Sequence, residues 1–172
     1  DTALIYSEKL CNAAGVFTSN RVKAESVKYT QKVIAKGKAQ AAIVNVGYAN
    51  ACTGEEGAKV AKTMADVTAK TMGINADQVI VCSTGIIGQQ VPVEKIVSNI
   101  ENIKAGLSKE GHKEARIGIM TTDTMYKECA VQFEIGGKTV TMGTMCKGSG
   151  MIHINMGTML GFITTDCAIS SK

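Results

Sequence analysis

The chain has 172 residues, 45% hydrophobic and 20% charged, with a formal charge of +4; that balance builds one packed domain and excludes a disordered or fibrous chain. Aromatic residues make up only 4% and the lysines are scattered, which speaks against nucleic acid, where clustered cations and stacking platforms are the rule, and suits an anionic small substrate. The sequence has no apolar run of roughly eighteen residues and its opening, Asp1-Thr2-Ala3-Leu4-Ile5, is not a signal peptide, so the expected setting is the cytoplasm, away from membranes.

Residues 3 to 6 and Val16-Phe17-Thr18 read as strands around a turn at Cys11-Asn12-Ala13-Ala14-Gly15, and Val27 to Ile34 fits either a strand or a short helix. Ala41 to Val46 is a short buried strand. It leads through Gly47-Tyr48-Ala49-Asn50-Ala51-Cys52 into a helix with capping-box spacing, Thr53 at the cap and Glu56 three residues on. Ala61, Met64, Ala65, Thr68 and Met72 mark its apolar face, and Gly73 ends it. Val79 to Ser83 is the next strand, running into Thr84-Gly85-Ile86-Ile87-Gly88. Pro92 opens a second helix with Val93, Ile96, Val97, Ile100 and Ile103 on one face. The Gly-x-x-Gly between that strand and helix lacks the Gly-Lys-Ser/Thr ending of a phosphate loop, which excludes nucleotide binding there. On its own residues Thr84-Gly85 reads as a turn held by a threonine side chain.

Arg116 to Met120 reads as a further strand entering Thr121-Thr122-Asp123-Thr124, a polar strand end that could bind a substrate amide or carboxylate or serve structure alone. Cys129 to Ile135 and Lys138 to Met142 alternate around Gly136-Gly137, a hairpin signal. Met159 to Ile163 is an apolar run expected to be a buried strand, and Thr164-Thr165-Asp166 its structural end. Six cysteines, at positions 11, 52, 82, 129, 146 and 167, include no Cys-x-x-Cys pair, so zinc-ligand spacing is missing. Most lie in apolar stretches and read as reduced core thiols. With only His112 and His153 present, nothing supports a Cys/His catalytic pair. Helices fall between some strands and the hairpin is antiparallel, so the fold class is α+β in layers.

The chemistry concentrates in Lys147-Gly148-Ser149-Gly150-Met151-Ile152-His153-Ile154-Asn155-Met156-Gly157-Thr158-Met159-Leu160. Glycines let this backbone approach a ligand and Lys147 adds a mobile cation. A threonine hydroxyl becomes a useful nucleophile when a base sits beside it, and the amine of an N-terminal threonine is such a base if the Gly157-Thr158 bond is cut. A flexible Gly157 would let that hydroxyl reach the carbonyl of residue 157.

The segment resembles the self-cleavage region of the ornithine acetyltransferase family, the bifunctional glutamate N-acetyltransferases. Lys147 to Ile152 and Asn155 to Leu160 stand in register with it. Gly157 replaces the usual alanine, which keeps a small residue at the cut, and Ile154 replaces the usual proline, which loosens the loop and bears on the rate of cleavage more than on cleavage itself. The loop from Asn45 to Gly54 and the Thr121 to Thr124 quartet resemble two further signatures of the same family.

The resemblance implies an α-β-β-α-like sandwich shared with N-terminal-nucleophile aminopeptidases. It implies a single-domain fragment in which residues 1–157 form most of an α chain and 158–172 the start of a β chain. The implied activity is ping-pong transfer of acetyl from N-acetylornithine to glutamate in arginine biosynthesis, with no metal or organic cofactor; some members also take acetyl from acetyl-CoA. Thr158 would be the nucleophile, Thr84 and Gly85 the oxyanion hole, and Thr121, Lys147 and Thr158 the substrate contacts. The α and β chains would come from one precursor and assemble as a homo-oligomer of αβ units. The alternatives are an aminopeptidase or amidohydrolase using the same threonine, and a catalytically silent, uncleaved ligand-binding fragment.

Overall fold

The computed structural model of the chain describes residues 1–151, 153 and 155–171. Its organising element is the strand β2 (Lys38–Tyr48), nearly all of whose central residues are buried. Successive side chains of a strand point to opposite faces, so Ala41 and Ile43 meet one layer while Val44 and Val46 meet another. β1 (Thr2–Asn12) pairs with β2 antiparallel, and β3 (Val79–Ile86) pairs with it parallel, giving the order β1-β2-β3.

Three helices cover the Ala41/Ile43 face. α1 (Glu25–Ile34) buries Ser26, Thr30 and Val33, and α2 (Gly54–Met72) buries Gly57, Val60, Ala61, Met64, Ala65 and Thr68, a spacing of three and four that lays one stripe against the sheet. α3 (Val93–Ala105) adds Ile96 and Ile100, while Val97 turns out to be 42% exposed. Thr30 satisfies the edge of β3 in both directions: its hydroxyl donates to the Val81 carbonyl at 2.7 Å and accepts from the Val81 N–H at 2.9 Å.

On the other face lies a second sheet of β4 (Lys127–Ile135), β5 (Lys138–Lys147) and β6 (Leu160–Thr165), all antiparallel. Gly136 and Gly137 both have positive φ, at 57° and 72°, the geometry of a two-residue hairpin turn. Met145, Leu160 and Phe162 pack onto Ala3, Val44, Val46 and Ile119, so the two sheets are stacked. The described residues thus build helix, sheet, sheet. The outer face of the second sheet carries Val131, Phe133, Ile135 and Ile163 exposed.

Several local expectations give way to tertiary structure. Val16 to Thr18 is not a strand: β1 continues through Asn12, repairing with Ala39 and Lys38 after an irregularity, and Val16 is left 82% exposed. Arg116 to Gly118 instead close the helix α4 (His112–Gly118), with Ile119 as its C-cap and Met120 beyond it. Its apolar residues are not on one strand face, because Ile117 is 58% exposed while Ala115 and Ile119, four apart, share the contact with the sheets. The capping box at Thr53 does not form. The Thr53 hydroxyl donates to Asn50 Oδ1 at 2.8 Å, and Asn50 Nδ2 donates to the Gly57 carbonyl at 3.0 Å. The Met159 to Ile163 run enters the edge strand β6 at Leu160 rather than forming a buried strand, with Met159 42% and Ile163 70% exposed. The cysteines are all free: Cys11, Cys52 and Cys129 are exposed, Cys146 and Cys167 half-buried, and Cys82 packs against the cluster between the sheets. Burial alone pushes the Cys82 thiol up to about 12.

Candidate active site

The parallel pairing of β2 with β3 aligns Val46 with Thr84 and Gly47 with Gly85. At Gly85, φ is +131° and a Cβ would lie 2.2 Å from the Gly47 carbonyl carbon, so only glycine lets the two strands approach there. Beyond the pair, the Ala49 N–H donates to the Ile86 carbonyl at 2.8 Å and the Gly88 N–H to the Ala51 carbonyl at 2.9 Å. The two loops after the strands are therefore laced together, and they fix Thr84, which is 5% exposed, at the mouth between the sheets.

β5 delivers Lys147 to the same place. Its side chain is buried, and Nζ donates to Thr84 Oγ1 at 3.0 Å and to the Thr158 main-chain carbonyl at 3.4 Å. No carboxylate pairs with it among the described residues. Burial pulls the ammonium below its ordinary value; the Asp123 carboxylate works against that and Lys127 adds to it. A buried cation held only by neutral oxygens is a strong attractor for an anionic group. Because Lys147 donates into the oxygen of Thr84, the Thr84 hydroxyl hydrogen is left to point elsewhere.

Thr158 lies just before β6, whose Leu160 pairs with Lys147. Its hydroxyl donates to the Met151 carbonyl, which leaves the oxygen lone pairs uncommitted. The left-handed backbone ahead of it falls on Asn155 and Met156, with φ of 50° and 59°, rather than on Gly157. Holding non-glycine residues there costs of order 1 kcal/mol or more each. Ile152 and Ile154 lie outside the described residues.

Thr121 is exposed on the segment between α4 and β4, and its side chain makes no hydrogen bond to Lys147 or Thr158. What joins it to them is Asp123, a member of the sequence quartet that its local pattern does not distinguish. Asp123 accepts from the Thr121 N–H at 3.4 Å, the Gly148 N–H at 2.9 Å and Lys127 Nζ at 2.6 Å. Burial would raise its carboxyl, but the Lys127 ammonium and the two backbone donors outweigh that and hold it at about 2. An aspartate four residues ahead of a lysine in an otherwise threonine-rich loop is the one signal the sequence offers for it. Thr122 and Ser149 hydroxyls, 2.8 Å apart, add a second tie between the same two loops.

Lys147 thus contacts both the Thr84 hydroxyl and the Thr158 main-chain carbonyl, Gly85 and Gly157 are their chain neighbours, and Thr121 is attached through Asp123. A separate cleft of about 430 Å³ lies between α4 and the second sheet, with His112, Glu128, Met145 and Phe162 in its walls. There His112 Nδ1 is 3.0 Å from Glu128, and His112 together with Arg116 holds that carboxyl below its usual range. Among the described residues no group of three or more His, Cys, Asp or Glu could hold a metal, and no helix is long and apolar enough to cross a membrane.

The profile of the ArgJ family matches residues 1–172. The arginine biosynthesis bifunctional protein ArgJ of Caldanaerobacter subterraneus subsp. tengcongensis is 52% identical over 169 residues, covering 98% of this chain and 42% of that protein. Its counterpart in Symbiobacterium thermophilum is 49% identical over 171 residues, with 99% and 42% covered. The chain therefore spans about 42% of the length of these curated relatives. Among solved structures, the arginine biosynthesis bifunctional protein of Bacillus halodurans matches with a TM-score of 0.85 at 44% identity, covering 93% of this chain and 83% of that one. Ornithine acetyltransferase of Mycobacterium tuberculosis, complexed with ornithine, matches at 0.79 and 33% identity, with 93% and 84% covered. Both matches carry the mixed α+β fold described above.

Proposed function

This chain belongs to the ArgJ family, and on that premise we propose that it forms part of an acetyltransferase of arginine biosynthesis that moves acetyl from N-acetylornithine to glutamate. The observation that carries this reading is the buried Lys147 ammonium, which touches both Thr84 and Thr158. The names of the relatives and the ornithine complex of the Mycobacterium tuberculosis protein support the substrate class.

In the proposed sequence Thr158 Oγ first attacks the Gly157 carbonyl carbon, the peptide nitrogen leaves as the Thr158 amine, and water hydrolyses the resulting ester. Residues 1–157 then belong to an α chain and 158–172 begin a β chain, the two assembling as αβ units into a homo-oligomer. The new amine takes the Oγ proton as Oγ attacks the acetyl carbonyl of N-acetylornithine. Thr84 Oγ–H and the Gly85 N–H hold the tetrahedral oxyanion, a contribution of about 2.7–4 kcal/mol per donor in comparable sites. The proton passes to the departing ornithine nitrogen, leaving acetyl on Thr158, and the glutamate amine takes it in the second half-reaction. Lys147 and Thr121 grip the amino-acid substrate. Acetyl-CoA is a further donor to test.

Full-length protein incubated with N-acetylornithine, with and without glutamate, tests the reading. N-acetylglutamate forming only when both are present is the expected result. Release of acetate without transfer points to the aminopeptidase or amidohydrolase alternative, and no reaction to a silent binding protein.

A further inference from the structure

We propose that Asp123 is a positioning residue, the clasp that sets the separation between the two proposed substrate contacts, Thr121 and Lys147. This rests on the acetyltransferase reading for the identity of the ligand, though not for the geometry. Thr121 and Lys147 come from different parts of the chain: the first from the segment after α4, the second from the end of β5. Neither hydrogen-bonds the other. One carboxylate spans them. Asp123 Oδ2 takes the Thr121 N–H at 3.4 Å, while Oδ1 takes the N–H of Gly148, the residue after Lys147, at 2.9 Å.

The Asp123 side chain is fully buried, whereas its lysine partner Lys127 remains 42% exposed. A buried carboxylate that takes the N–H of Thr121, two residues before it on an exposed loop, and the half-buried N–H of Gly148, on a separate loop, ties both backbones to one side chain; the Gly148 bond is the costlier one to lose, because its donor has less access to water. The carboxylate's charge also faces the Lys147 ammonium and raises it against the lowering effects of burial and Lys127. The Lys147 side chain is directed at Thr84 and the Thr158 carbonyl. Gly148, with φ of +154°, makes the corner at which its N–H meets Asp123.

The test compares full-length wild type with Asp123→Asn, Asp123→Ala and Lys127→Met by calorimetric ornithine binding, steady-state transfer kinetics, thermal unfolding and amide exchange. Asparagine has one acceptor oxygen where the carboxylate has two, so Asp123→Asn should weaken ornithine binding about tenfold and raise KM far more than it lowers kcat. Lys127→Met leaves both backbone bonds in place and should change affinity less than about threefold, as expected of a half-exposed pair. Unchanged affinity in Asp123→Asn, or equal losses in Asp123→Asn and Lys127→Met, overturns the inference. If wild type binds no ornithine, the acetyltransferase reading fails, and the clasp is judged on exchange alone. Faster exchange at Gly148 and Thr121 in Asp123→Asn, without change in α2, supports it; unaltered exchange at both overturns it.

Discussion

Replacing Gly85 by alanine tests how the fold builds the proposed oxyanion hole. The new Cβ would lie 2.2 Å from the Gly47 carbonyl carbon, 2.4 Å from its oxygen and 2.6 Å from the Tyr48 nitrogen, all below the 3.0 Å that Cβ contacts respect. These are backbone atoms of the partner strand, so relief requires β2 and β3 to part at that pair. Alanine at φ +131° adds backbone strain of order 1–3 kcal/mol, and overpacking adds about 1–3 kcal/mol more. Gly47 supplies the control: its φ is +121°, and a methyl group added there would meet nothing within 4 Å, so Gly47→Ala incurs the strain alone. Denaturant unfolding of the full-length variants should place Gly85→Ala at least about 1 kcal/mol below Gly47→Ala. Equal stability, or Gly47→Ala the weaker, would refute the steric argument.

Two other predictions follow from single contacts. Asn50→Ala leaves the Thr53 hydroxyl without its acceptor and the Gly57 carbonyl without the Asn50 donor, all in a buried corner; a loss of about 1–3 kcal/mol is expected in the same unfolding assay, and a loss below about 0.5 kcal/mol, the range of an ordinary surface change, would contradict it. Asp123 is held at about 2 against an ordinary 3.8. A carboxylate depressed in the folded state contributes stability above its unfolded pKa and loses it as pH falls through the folded one, so the contribution fades between about pH 4 and pH 2. Allowing for solvent at the Lys127 end, that contribution is of order 1–2 kcal/mol, and Asp123→Asn should flatten stability over that window. An identical acid limb in the variant would count against it.

The parts of the fold legible from sequence are those whose pattern is local. The stripe Ala61, Met64, Ala65 and Thr68 has a helical period that tertiary contacts reinforce, and the two glycines of the hairpin each take the positive φ their turn needs. Arg116 to Met120 misleads because alternating apolar residues look alike in a strand and in a short helix with one exposed isoleucine. Thr53 misleads because its hydroxyl turns back to donate to Asn50 Oδ1, three residues earlier, and accepts from none of the helix N–H groups ahead of it. At the site, Lys147, Thr84 and Thr158 are legible through motifs carried by resemblance, and Lys147 reaches both threonines. Asp123 is not, because its importance comes from two N–H groups in separate loops, a relation that no linear spacing records.

The central claim is that Thr158 becomes an N-terminal nucleophile. Intact mass of freshly purified full-length protein, beside a Thr158→Ala variant, tests it most directly. Wild type should separate into two chains at Gly157-Thr158 while the variant stays whole. A wild type that remains one chain under folding conditions would leave Thr158 without its amine base and contradict the proposed mechanism.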